Sequence, residues 1–170
     1  PVCAYGIAHS KKVLIVQTVN IRGAIAQDVP EITHLLWDDP QGGQRESKTA
    51  EQATTYLSAF ERIEKDPNSQ VFVAIRDETV IGCLQLTIIP GLSYRGALRA
   101  LIEDVRVARA FRNHRIGARL LAHAETRASE QGCNLIELFV HGERADAHRF
   151  YERAQYSGDH KGYRKTLPSL

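Results

Sequence analysis

Cysteine is scarce. Three residues in 170, Cys3, Cys83 and Cys133, are too few and too scattered for a disulfide framework. No CxxC pair and no Cys/His cluster has zinc-ligand spacing, so no metal site is expected, and three reduced thiols fit a cytoplasmic protein. Long apolar runs are missing as well. A run such as Val13 to Val16 is far too short to cross a bilayer, and Lys11 and Lys12 ahead of it, with no cleavage pattern behind, do not make a secretory signal. Nor is there an excess of one charge. Twenty-two Lys and Arg against 20 Asp and Glu leave +2, which gives no global field for nucleic acid or an anionic membrane. Any anion site must be local. Repeats, low-complexity tracts and Pro/Gly-rich linkers are lacking, so nothing divides the chain.

What is present is the balance of an ordinary globular domain, 43% hydrophobic and 25% charged. We expect an extension over residues 1–17 and a single domain over 18–170. Val16 to Ala24 reads as a first strand. Asp28 and Glu31 stand at capping-box spacing ahead of a helix striped by Ile32, Leu35 and Leu36. Asp38 to Arg45 reads as a loop, and a second helix follows over Thr49 to Lys65, opened by Thr49 and Gln52. Val71 to Arg76 and Val80 to Ile89, separated by Asp77-Glu78, form a hairpin signal. A loop carrying Tyr94 and Arg95 leads to a strand over Leu98 to Val107. The strongest helical pattern runs from Gly117 to Gln131, with Gly132 placed to end it. Leu135 to Val140 reads as a strand, Ala145 to Ala154 as a helix and Tyr163 to Leu167 as a last strand. The order β-α-α-β-β-β-α-β-α-β implies an α/β fold: a mixed, mostly antiparallel sheet with helices on both faces.

The most informative stretch is Glu103 to Leu121, where a strand ends in a short turn and a helix begins at once. A helix N-terminus exposes unpaired N–H groups and roughly half a positive charge, which suits phosphate. Arg112, His114, Arg115 and Arg119 add donors at the same corner, and Gly117 lets backbone come close to a ligand. A basic turn facing water is the plain alternative. GxxxxGK is absent, and no GxGxxG follows a strand, so neither a P-loop nor a dinucleotide fold is expected.

Arg112-x-x-x-Ile116-Gly117 with Leu120-Leu121, after a valine-rich strand, resembles the acyl-CoA-binding motif of the GNAT superfamily of N-acetyltransferases. Ala145 to Tyr156 is similar to that family's late helix, and Asn20-Ile21-Arg22 followed by Asp28 to its opening. The resemblance spans about Val19 to Leu167. It departs at three points: Arg115 and Gln155 stand where the family has glycines, and Arg144 where it often has asparagine. If φ at Arg115 is negative, its N–H still donates and its guanidinium reaches a phosphate.

The resemblance implies a sheet splayed at its central parallel pair, with acetyl-CoA as cosubstrate. Its implied contacts are Val105, Arg106 and Val107, then Arg112, Asn113, His114, Arg115, Ile116, Gly117 and Ala118, and on the late helix Arg144, Ala147 and Phe150. Backbone at Val105 to Val107 would polarise the thioester carbonyl. A primary amine on a small-molecule acceptor would attack directly, which requires a group to take its proton. Tyr151 is implied as general acid or thiolate stabiliser. Glu103 is the candidate base, put by strand alternation on the same face as Val105 and Val107, or else a structural carboxylate. His141 and His148 are alternatives, and Asp38 and Asp39 either hold a cationic acceptor or serve the helix end. Two other readings share this pattern: an acetyltransferase acting on proteins or peptides, and a non-catalytic acyl-CoA-binding regulator. A monomer or a homodimer is expected.

Overall fold

The computed structural model describes residues 18–39, 43, 46 and 49–167. The N-terminal extension, Cys3 and most of the loop after Asp39 lie outside them. In chain order the elements are β1 (Asn20–Gly23), α1 (Val29–Trp37), α2 (Ala50–Lys65), β2 (Ser69–Arg76), β3 (Thr79–Pro90), a single turn α3 (Ser93–Gly96), β4 (Leu98–Val107), α4 (Ile116–Glu130), β5 (Cys133–Leu138) and α5 (Ala145–Arg153). The strands form one sheet in the order β1-β2-β3-β4-β5. Its first three pairings are antiparallel, and β4 with β5 is parallel.

Local chemistry explains most element ends. Asp77 and Glu78 both take positive φ, 49° and 61°, which gives the β2–β3 turn the twist a two-residue hairpin needs. The Thr49 hydroxyl accepts from Gln52 N at 3.3 Å and caps α2. Gly132, at φ 85°, ends α4 and donates its N–H to Ser129 O at 2.9 Å.

Both faces of the sheet are covered. On one, Leu120, Leu121 and Ala124 of α4 pack on Leu84, Leu86, Ala100 and Ile102. On the other, Leu35 of α1 packs on Val73, Val80 and Cys83. Burying these side chains removes their apolar surface from water at roughly 25 cal/mol per Å².

Two expectations are corrected. Asp28 does not cap α1 with its side chain. Its carboxylate turns back to accept from Ile25 N at 2.8 Å and from both terminal nitrogens of Arg22 at 2.6 and 2.9 Å. A 3-10 turn over Ala26–Asp28 already leads into the helix, so the buried carboxylate serves the arginine instead. Tyr163 to Leu167 forms no strand. From Ser157 to Leu167 every residue is exposed, so the segment buries too little to offset its ordering entropy. No helix among the described residues is long and apolar enough to cross a membrane.

Candidate active site

The parallel ladder between β4 and β5 ends at Ile102 and Leu138. Beyond it, β4 continues for five residues, Glu103 to Val107, with no strand paired on that side among the described residues. On its other edge β4 still pairs with β3, Cys83 opposite Arg106 and Gln85 opposite Glu103. Asp104 and Val105 therefore face Leu84 alone, and Asp104 takes φ 51°. This is a β-bulge, which re-aims the side chains around it.

The bulge corrects the expected facing of Glu103. Paired residues of an antiparallel ladder share a face, so Glu103 and Arg106 lie with Gln85 and Cys83. Val105 and Val107 instead pack with Ile102 and Leu84 in the larger core. The extra residue breaks the two-residue period on which the simple alternation rested.

Past Val107 the chain makes one 3-10 turn, Arg109–Phe111, and then α4 begins. From Asn113 to Ala118 no amide donates to a backbone carbonyl among the described residues; the first that does is Arg119, to Arg115 O at 3.0 Å. Unpaired N–H groups at a helix start suit an anion. Arg115 sits at φ 60°, ψ 14°, and Asn113 at φ 64°. The negative φ expected at Arg115 is thus overturned: its backbone lies in the left-handed region that glycine favours.

The side chains at this corner divide. Arg112 Nε donates to Val107 O at 3.2 Å, and His114 Nδ1 to Arg112 O at 2.9 Å, fixing the turn. Ile116 is buried in the core. Arg119 points away and donates to Val19 O at 2.6 Å. A Cβ on Gly117 would lie 3.4 Å from Phe150 Cζ, so its smallness seats the α5 ring against α4.

Asp39, Val105, Arg106, Val107, Arg112, Glu143, Arg144 and Asp146 line a cavity of about 270 Å³. A larger one, about 380 Å³, lies between α2, the start of β2 and the end of α4, and holds none of the candidate residues. Size alone does not mark the site; the free strand edge and free amides do. Asp39 is 4% exposed and lies 3.3 Å from Arg144 Nη2 and 3.7 Å from Arg106 Nε. Asp38 pairs with Arg109 at 3.1 Å. Both aspartates are thus occupied by arginines rather than presented to a cationic acceptor.

Tyr151 is half-buried beside Phe150 and Tyr156, with ring centroids 4.9 and 5.9 Å away. Burial raises its hydroxyl pKa, while Arg106 and Arg144 pull the other way. It is protonated at neutral pH. Glu103 is pushed up by burial and by Asp104, and drawn down by Arg164 of the C-terminal segment. Ala147 and Phe150 are half-buried on α5. His141 is exposed, and its carbonyl accepts from His148 Nε2 at 3.2 Å, which ties the two histidines to each other. The thiol of Cys83 is buried and pushed up to about 12, and that of Cys133 is also raised by burial, so neither is an activated nucleophile. The pairings of Asp39 were not legible in the sequence, since its partners lie 67 and 105 positions away.

An open strand edge leading to a run of free amides defines a cleft for an extended ligand with an anionic tail. The chain belongs to the acetyltransferase (GNAT) family, a class of acyltransferases: the family model matches residues 29–156. It is 35% identical over 102 residues to the aminoalkylphosphonate N-acetyltransferase of Salmonella typhimurium strain LT2. That match covers 60% of this chain and 66% of the relative, just under two thirds of its length. Among solved structures, a transcriptional regulator from Bacillus halodurans C-125 superposes with a TM-score of 0.85 at 39% identity, over 88% of this chain and 100% of that one. The aminoglycoside N-acetyltransferase AAC(6')-Iy, solved in complex with CoA, shares the fold with a TM-score of 0.74 at 17% identity, over 91% and 99% of the two chains.

Proposed function

We propose that the protein is an N-acetyltransferase that moves an acetyl group from acetyl-CoA to a primary amine on a small molecule, by direct attack in a ternary complex. Residues 18–170 would act as one domain. The observation that carries this reading is the unpaired edge of β4 from Glu103 to Val107, leading straight to the free amides of Asn113 to Ala118. The residues present fit the cosubstrate: the edge suits an amide-bearing arm, the amides suit a diphosphate, and Arg106 Nε is a buried donor without a hydrogen-bond partner among the described residues. When bound, acetyl-CoA supplies an activated acyl thioester.

The chain's own groups then divide the work. Of the backbone N–H groups at Val105 to Val107, those on the open side of the strand would orient and polarise a carbonyl. The raised Tyr151 hydroxyl holds its proton at Oη, as an acid toward a leaving sulfur must. Glu103, its carboxyl raised by burial and by Asp104, accepts a proton from the incoming ammonium. The raised thiols of Cys83 and Cys133 favour direct attack over a covalent acyl-enzyme at either residue. For the acceptor, the Salmonella relative suggests amines that carry a phosphonate, tested beside uncharged and cationic amines and peptides.

Thermal-shift titration with acetyl-CoA tests the cosubstrate, and release of free thiol across the amine panel tests the reaction. Tyr151→Phe should lower kcat by about 10²-fold or more while CoA still binds; an unchanged kcat on a good acceptor removes Tyr151 from the mechanism. The Bacillus structure described as a transcriptional regulator favours a second reading, an acyl-CoA-binding regulator. Binding without thiol release from any amine or peptide would select it.

A further inference from the structure

Beyond Ile102 and Leu138 no ladder holds the two sides of the cleft together. One side is β4 with Arg106; the other is the segment after β5 that ends in Arg144, the residue before α5. Asp39 reaches both: its Oδ2 lies 3.7 Å from Arg106 Nε and 3.3 Å from Arg144 Nη2. Among the described residues no other ion pair spans the cleft beyond that last ladder pair. The carboxylate is firmly placed, because it follows α1, whose Leu35 is packed on Val73, Val80 and Cys83. It is also buried, whereas Asp38 next to it pairs with Arg109 at the surface. The Asp38 pair already fastens the end of α1, so fastening the loop does not account for Asp39.

We propose that Asp39 is a positioning residue, a tie between the two walls that sets the aperture of the cleft and aims Arg106 and Arg144 into it. A buried carboxylate shared by two guanidiniums holds them closer than their mutual repulsion would allow; removing it leaves Arg144 uncompensated and Arg106 with Asp104 alone, 3.6 Å away. The arginines that the tie aims are also those whose charge draws down the Tyr151 hydroxyl. The tie is a property of the free protein; its effect on cosubstrate rests on the proposed use of the cleft.

Hydrogen exchange of the cofactor-free protein reads the tie directly. Asp39→Asn should speed exchange by about tenfold or more in residues 104–107 and 144–148 together, as expected when a local opening loses one charge-assisted contact. Asp38→Asn should leave both segments at the wild-type rate. Faster exchange confined to the loop beside Asp39, or no change, overturns the proposal. Calorimetry with CoA reads the consequence. Asp39→Asn and Arg144→Gln should each weaken binding by about tenfold, and the double variant no more than the worse single one, because one contact is cut twice. Multiplied effects, or tighter binding in Asp39→Asn, refute it. If Asp39→Asn does not fold, Asp39→Glu keeps the charge and should stay within about threefold of wild type in both readouts, against a marked loss for Asp39→Gln; equal loss in the two refutes the tie. A wild-type protein that ignores CoA sinks the proposed function but leaves the exchange result decisive for Asp39.

Discussion

Arg115 holds a conformation that costs a side-chain-bearing residue about 1–2 kcal/mol. Glycine would relieve that cost but adds about 0.5–1 kcal/mol of entropy to the unfolded chain. The first effect is the larger, so Arg115→Gly should stabilise the protein by up to about 1 kcal/mol, seen as a higher denaturant midpoint with an unchanged slope. Gln155, at φ 67°, answers to the same reasoning. Both stand where the family has glycine, and the left-handed backbone gives the physical reason for the glycine. Asp28 carries a different kind of constraint. Burial alone would push its carboxyl up, but the bonds from Arg22 and the Ile25 amide outweigh that and leave it below the ordinary 3.8. A lowered folded value means the stabilisation is complete above the unfolded pKa and is lost as pH falls through the folded one. Asp28→Ala should cost about 3 kcal/mol at neutral pH, and acid titration of its stability below about pH 4 should be shallower than in wild type.

Helix α4 meets the sheet at Gly82. A Cβ there would lie 2.9 Å from Arg106 O, 3.1 Å from Leu120 Cδ1 and 3.3 Å from Ile116 Cγ2. Because one of these atoms is backbone, the contact cannot be relieved by a rotamer change. Gly82→Ala should therefore destabilise by about 2–3 kcal/mol, measured by thermal or denaturant melts, and should weaken CoA binding because Ile116, which it displaces, begins α4 within the run of free amides. Helix α5 ends in a Schellman arrangement, with Tyr156 N donating to Tyr151 O at 3.0 Å and Gln155 N to Glu152 O at 2.9 Å. That closure brings Tyr156 against Tyr151, and the Tyr156 hydroxyl donates to Glu125 Oε1 at 3.0 Å on α4. Most of these elements were legible in the residues. Thr49 with Gln52, the Asp77-Glu78 tip and Gly132 each act within four positions, so their neighbours in sequence are their neighbours in space. The expected strand over Tyr163 to Leu167 failed because a strand needs a partner, and its residues alone do not supply one.

The C-terminal segment nonetheless reaches back across the molecule. Glu103 is raised first by burial, next by Asp104, and lowered by Arg164. A base must be ionised, so activity should rise with pH through the Glu103 value. Arg164→Ala should move that acid limb of kcat/KM to higher pH, and the difference should fade in high salt because Arg164 is solvent-exposed. A limb that stays in place would take either Arg164 away from Glu103 or Glu103 away from the chemistry. The order of the main elements as far as α5 and the corner where β4 meets α4 were readable from residue pattern, since periodicity, capping and a turn's composition are local, and the family from the resemblance of its motifs. The facing of Glu103, the left-handed Arg115 and the partners of Asp39 were not. Each depends on pairing between segments far apart in the chain: a single extra residue in β4 reverses a face, and a carboxylate finds its arginines only once α1, β4 and α5 have packed.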